Sequence, residues 1–254
     1  MERRQPKILV IGDSCKDIYT YGKCPRLCPD APVPVFIPKY TVNKGGMALN
    51  VYDNVISLGV DCDLITNTNS IKKTRFVDDK TNQIIIRVDE GEDNTVEIDI
   101  NTLNLKLYDG VIISDYVKGF LSEKTIQYIC ENHNNVLIDT KRLLGKYCNK
   151  AKFIKINEDE YNASKHLLPD LSLYSSLIIT LGSKGCKYLE KIYPVKKVEI
   201  KDQTGAGDTF VAAFLTRFIK TNNLDNSLLF ANECSTYVVQ KRGVVTLENF
   251  NKKL

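Results

Sequence analysis

Five short apolar runs recur along the chain, at residues 7–12, 110–114, 135–139, 153–157 and 177–180, and each closes on a polar residue or glycine. A run that is apolar at successive positions is a strand buried on both faces, and such strands belong to parallel sheets. Between the runs lie stretches with helical spacing, at 48–58, 122–131 and 158–166, with Ser122 and Asn157 placed as N-caps. Strands alternating with helices predict an α/β fold with a doubly wound, mostly parallel sheet. Ligands of such sheets bind at the carboxyl ends of the strands. This chain sets Asp13, Asp115, Asp139, Asn157 and Thr180 at those ends.

Two segments break the rhythm. Residues 24–44 carry Pro25, Pro29, Pro32, Pro34 and Pro38 around alternating Val33, Val35 and Ile37, and residues 73–90 alternate without helix signals. Both read as strands outside the main sheet, tolerant of proline because they are edges. They are expected to pair into a small β-flap that covers the site, within one domain spanning residues 1–254.

The remaining constraints are mostly exclusions. With 43% hydrophobic and 26% charged residues the 254-residue chain can bury a sizeable core. Its net charge of +4 is scattered rather than striped, which argues against a nucleic-acid partner. No apolar run reaches the length of a membrane span, and Met1 to Gln5 precede no signal-peptide core, so a cytoplasmic protein is expected. Eight cysteines form no disulfide-like framework and read as reduced thiols. Cys24 and Cys28 lack the second ligand pair that a structural zinc site needs, and His133 and His166 stand alone.

Residues 202–210, DQTGAGDTF, follow an alternating run (195–200) and lead into an apolar helical stretch. Glycines on either side of Ala206 let backbone approach a ligand closely. The free amides and dipole of the new helix favour an anion there. An acid in the same turn, Asp208, is placed to take the proton of a hydroxyl that attacks phosphorus. Taken alone, the string also fits a plain helix start with an exposed first-turn acid. The first strand ends in GDSCKD, which does not fit the glycine fingerprint of dinucleotide oxidoreductases.

The string 202–210 resembles the C-terminal signature of the ribokinase-like (PfkB) sugar kinases. The resemblance extends along nearly the whole chain. Residues 45–59, GGMALNVYDNVISLG, resemble the first signature of that family, and 73–76 with 83–89 resemble its flap strands. GDSCKDIYTYG (12–22), RLCPDAPVPV (26–35) and SDYVKG (114–119) resemble motifs of bacterial heptose-7-phosphate kinases in particular. Asp139 with Lys141, and Asn157 with Glu160, follow in the expected order.

The resemblance implies a three-layer α/β/α ribokinase-like fold with a flap, and an ATP- and Mg²⁺-dependent kinase of a sugar or sugar phosphate. It implies that Asp208 is the catalytic base and that Gly205, Ala206 and Gly207 form an anion hole. Asp13, Asp17, Gly45, Gly46, Asn50, Arg87, Asp115 and Lys118 would face the acceptor. Lys141, Asn157, Thr180, Gly182, Gly185 and Asn232 would line the nucleotide, and Asn157 with Glu160 would act on Mg²⁺ through water. Relatives dimerise through the flap, whose exposed edges would gain from pairing with a second copy.

There are departures. After Thr66 the family normally inserts a helix and strand before the flap, whereas here 67–72 lead straight into it. Cys28 and Asp30 replace a serine and a glutamate, and Met47 and Leu49 bring bulk to a loop of small residues. A kinase of fructose, ribose or a nucleoside, or a sugar- or nucleotide-binding protein that has lost transfer, therefore stays open.

Overall fold

The computed structural model describes residues 4–250. In chain order the elements are β1 (Lys7–Gly12), β2 (Ser14–Leu27), β3 (Pro34–Met47), α1 (Ala48–Ser57), β4 (Asp61–Thr66), β5 (Lys72–Asp78) and β6 (Ile84–Glu90). There follow β7 (Gly110–Asp115), α2 (Glu123–Asn132), β8 (Val136–Thr140), β9 (Phe153–Asn157), α3 (Glu158–Ser164) and α4 (Leu168–Leu171). The chain closes with β10 (Leu177–Thr180), β11 (Cys186–Tyr188), β12 (Lys191–Tyr193), α5 (Ala206–Thr221) and α6 (Leu224–Val239).

Among the described residues twelve strands form two sheets. The larger has the order β12-β11-β10-β9-β8-β7-β1-β4. Its members from β10 to β4 run parallel, and β11 and β12 add an antiparallel hairpin at one edge. Alternation along β1 explains why the strand is apolar throughout. Ile8 and Val10 pack into a core under α1, α5 and α6, whereas Leu9 and Ile11 pack into a second core under α2. Each strand face is covered by helices, which gives three layers.

The smaller sheet, β3-β2-β5-β6, is the expected flap. Pro34 and Pro38 lie on β3, an edge strand, where no ladder bond is lost. The flap is longer than the expected 24–44, because β2 leaves the end of β1 at Ser14 and β3 runs on to Met47. Neither β2 before residue 24 nor β4 is evident as a strand in the sequence, since polar residues interrupt both. After β4, which is the outer strand of the main sheet, residues 67–71 cross directly to β5.

The expected caps are present. The Ser122 hydroxyl accepts from Thr125 N at 3.2 Å at the start of α2. Asn157 and Glu160 form a reciprocal capping box on α3, each side chain accepting from the other's backbone N–H at 2.8 Å.

Candidate active site

The loop from Asp202 is built before the helix it precedes. The Asp202 carboxylate accepts from Thr204 N at 2.9 Å and Gly243 N at 3.0 Å, tying the loop to the chain end beyond α6. Gly205 then adopts φ +81°, and a Cβ there would stand 2.8 Å from the Asn50 amide nitrogen. Both the left-handed backbone and the close approach require glycine. Thr209 N closes the first helical bond on Gly205 O at 2.9 Å. Of the three amides expected to form the anion hole, Ala206 N turns back to Gln203 O at 3.2 Å. Among the described residues the amides of Gly205, Gly207 and Asp208 take no acceptor in the chain, and they stay open to an anion at the helix start.

Asp208 lies in the first turn of α5 and is 6% exposed. Its Oδ2 accepts from Asn50 Nδ2 at 2.9 Å, and its Oδ1 accepts from the Tyr116 hydroxyl at 2.9 Å. Asn50 is itself oriented by Asn54, one helical turn along α1, whose Nδ2 donates to Asn50 Oδ1 at 3.1 Å. Burial raises the Asp208 carboxyl to about 6, with the Asp139 charge adding, while donation from Asn50 and Tyr116 and the Lys155 charge oppose. Burial and the Asp208 charge hold the Tyr116 phenol well above its usual value, so it stays protonated and donates. The carboxyl is thereby raised toward the range in which a general base works best.

Cations gather beneath the loop. Lys155 of β9 and Asp139 of β8 form a buried ion pair at 3.0 Å. The Lys155 Nζ would lie 3.0 Å from a Cβ on Gly207, so its ammonium sits directly against the anion loop. Lys141 pairs with Glu160. Asn157 and Glu160 are already joined in the capping box, so a metal ion would meet them through its waters.

On the flap side, Asp17 pairs with Arg75 at 2.5 Å and is buried. Gly46 lies so close that a Cβ would stand 2.1 Å from Asp17 Oδ2. Gly45 packs beside Leu49. Other residues that the resemblance assigned to the acceptor make bonds within the chain. Asp13 is fully buried, and its carboxylate accepts from the amides of Tyr116, Lys118 and Phe120. It fixes the loop that carries Tyr116. Asp115 is 1% exposed and holds Thr140, Arg142 and the Val117 amide. Arg87 makes a two-bond fork with Asp89, and Lys118 pairs with Glu92 at 2.6 Å.

The expected nucleotide residues divide similarly. Thr180 and Gly182 lie at the open end of β10. Asn232 is 4% exposed and donates to Tyr193 O at 2.7 Å, so its side chain ties α6 to β12. Gly185 packs against that same carbonyl, which a Cβ would approach to 2.0 Å.

Sequence reasoning left Tyr116 and Lys155 outside the site. Lys155 did carry a signal, a lysine between Ile154 and Ile156 in a buried strand, where an unpaired lysine is almost never found. A cavity of about 710 Å³ lies at the opposite end of the sheet around Tyr108 and His133, away from this chemistry. Among the described residues no helix is long and apolar enough to cross a membrane.

Comparison with known proteins agrees with this geometry. The family described as pfkB family carbohydrate kinase matches residues 65–249. The bifunctional protein HldE of a Nitratiruptor species is 32% identical over 295 residues, covering 95% of this chain and 63% of its own length. The HldE protein of Helicobacter pylori (strain HPAG1) is 34% identical, covering 93% and 63%. The chain thus spans less than two thirds of these relatives. In fold it is similar to ribokinase from Thermotoga maritima, with a TM-score of 0.72 at 17% identity over 94% of each chain. It is also similar to phosphofructokinase-2 from Escherichia coli, with a TM-score of 0.71 at 12% identity over 96% of each. With the family matched over most of its length, this chain belongs to the pfkB family of carbohydrate kinases, ATP-using phosphotransferases.

Proposed function

We propose that this chain transfers the γ-phosphoryl group of ATP to a hydroxyl of a sugar phosphate, most specifically D-glycero-β-D-manno-heptose 7-phosphate, giving the 1,7-bisphosphate. The observation that carries the reaction class is Asp208, a buried carboxyl raised to about 6 beside open helix-start amides. Asp208 takes the proton of the attacking hydroxyl, Asn50 and Tyr116 fix its oxygens, and the amides of Gly205 and Gly207 receive the transferring phosphoryl group. Positioning and electrostatics of this kind supply most of the acceleration in phosphoryl transfer. The heptose branch is supported by RLCPDAPVPV at 26–35 and by relatives at 32–34% identity.

No group of three or more His, Cys, Asp or Glu side chains able to cage a metal occurs among the described residues. The side-chain oxygens of Asn157 and Glu160 are the hard donors that suit Mg²⁺, which keeps most of its waters and rides on nucleotide phosphates. Asn157 and Glu160 would hold the hydrated ion, which neutralises charge on the phosphoryl oxygens when bound. We place the enzyme in the cytoplasm, as one domain whose flap closes over the acceptor and pairs with a second copy.

The test is ADP release from Mg-ATP with a panel of sugars and sugar phosphates, heptose 7-phosphate included. Turnover confined to the heptose phosphate is expected. Asp208→Asn should lower kcat by roughly 10²- to 10⁴-fold while leaving ATP affinity intact. Turnover on fructose, ribose or a nucleoside would move the branch, and none on any acceptor would remove the kinase reading.

A further inference from the structure

The inner face of the flap carries one cation more than its direct ion pairs use. Strand register sets Asp17, Lys73 and Asp89 side by side in one row across β2, β5 and β6, and Tyr19, Arg75 and Arg87 in the next. Within these rows Arg75 pairs with Asp17, and Arg87 pairs with Asp89. Lys73 is left over. It is 8% exposed, yet among the described residues no carboxylate lies within ion-pair distance of its Nζ. The group that faces it is the Tyr116 ring, whose centre is 5.6 Å away. Arg75, equally buried, stands over the Tyr19 ring at 5.0 Å and reaches the Lys73 carbonyl.

A buried ammonium that makes no direct ion pair, here with Asp89 only within longer electrostatic reach, is expensive, and folded chains rarely keep one without a use. Its position says what the use is. Tyr116 donates to Asp208, and Lys73 stands over the face of that same ring. Lys141, which follows β8, stands over the same ring at 5.5 Å, but it and Lys155 are paired with Glu160 and Asp139, whereas Lys73 reaches the ring from the flap strand β5. Lys73 also shares its strand row with Asp17, which the resemblance assigns to the acceptor.

We propose that Lys73, with Arg75 behind it, seats a phosphate monoester already carried by the acceptor sugar, so that the site selects phosphorylated over neutral sugars. The orientation of the acceptor rests on the kinase reading above, whereas the anion seat does not. A phosphate oxygen completes the ammonium with a charge-assisted bond, and a neutral sugar leaves it buried and alone.

The test compares wild type, Lys73→Gln and Lys73→Arg. For turnover, KM is measured for heptose 7-phosphate and for the same sugar without phosphate. Loss of one charge-assisted contact should raise KM for the phosphate ester roughly 10- to 100-fold in Lys73→Gln, with the neutral sugar and ATP within about threefold of wild type. Lys73→Arg should keep much of the discrimination. For binding, ribose 5-phosphate, ribose and ATP are each added alone and the thermal midpoint is read. Ribose 5-phosphate should raise the midpoint of wild type and not of Lys73→Gln.

The unliganded midpoint of Lys73→Gln should equal or exceed that of wild type, because a costly charge is removed. A lower unliganded midpoint, or unfolding, would make Lys73 a structural residue and overturn the proposal. So would equal KM changes for both sugars, or a dependence of ATP binding on Lys73. Absence of turnover on every sugar, with ribose 5-phosphate still bound through Lys73, would defeat the kinase reading and leave the anion seat standing.

Discussion

At the scale of single residues, the site turns on how one carboxyl is kept basic. An aspartate in water ionises near 3.9 and is a weak base. Here burial raises Asp208 to about 6 against the pull of Asn50, Tyr116 and Lys155. Only the ionised form accepts a proton, so kcat/KM should climb as pH rises through about 6 and level off above it. The groups facing Asp208 come from every side: Asn50 on α1, Tyr116 after β7, Asp139 on β8 and Lys155 on β9. Lys141, after β8, also feels its charge. Tyr116 donates to the charged form, which lowers the carboxyl. Tyr116→Phe should therefore move the acid limb to higher pH. One lost bond to a charged acceptor predicts roughly tenfold lower kcat/KM at pH 6 and a change within about threefold at pH 8. A pH–rate profile in which the limb stays in place, whatever the size of the rate loss, would show that Tyr116 does not act through the base.

At the scale of elements, the glycine loop works because α5 starts where α1 ends its reach. Gly205→Ala carries two penalties: a left-handed backbone at φ +81° and a Cβ 2.8 Å from Asn50 Nδ2. Gly59 supplies the control, with φ +72° and nothing within 4 Å of a built Cβ. Both alanine variants should lose about 1–3 kcal/mol of stability from backbone strain. Only Gly205→Ala should also lose kcat, by at least roughly tenfold, because displacing Asn50 releases one oxygen of Asp208. Equal kcat in the two variants would separate the loop from the base. This is also where the reach of sequence reading ends. The strands β1, β7, β8, β9 and β10 were legible because burial on both faces leaves an unbroken apolar run. The capping residues were legible because their partners lie three positions away. Tyr116 and Asp208 are 92 positions apart, and Asn50 and Asp208 are 158 apart, so only the fold brings them together. The partners of Asp13 were out of reach for the same reason, since its three amide donors lie more than 100 positions on.

At the scale of the whole molecule, the chain is short for its kin. Alignment with HldE of Nitratiruptor runs over 295 residues, more than the 254 of this entire chain, so the relatives carry segments that it lacks. What remains still includes the flap, and the flap has an unpartnered side. The register that turns Lys73 and Arg75 inward turns Thr74 and Phe76 outward, beside Val88 and Ile86. Ile86 is 55% exposed and Val88 38%, and Phe76 stacks edge-on with Phe36 at 5.3 Å. An apolar sheet face with open β3 and β6 edges invites either a partner or aggregation. A second copy is the cover we expect, because a closed two-fold pairing buries the same patch on both chains at once. Sedimentation of the purified chain at micromolar concentration should then give twice the monomer mass. Ile86→Asp puts a charge at the centre of the patch and should give a folded monomer with an unchanged far-ultraviolet dichroism spectrum. A wild type that sediments as a monomer would mean the outer face is not a dimer surface, and an Ile86→Asp dimer would move the interface elsewhere. A monomeric variant with lowered kcat/KM for the acceptor and unaltered ATP affinity would add that pairing holds the flap, and with it Lys73, over the bound sugar.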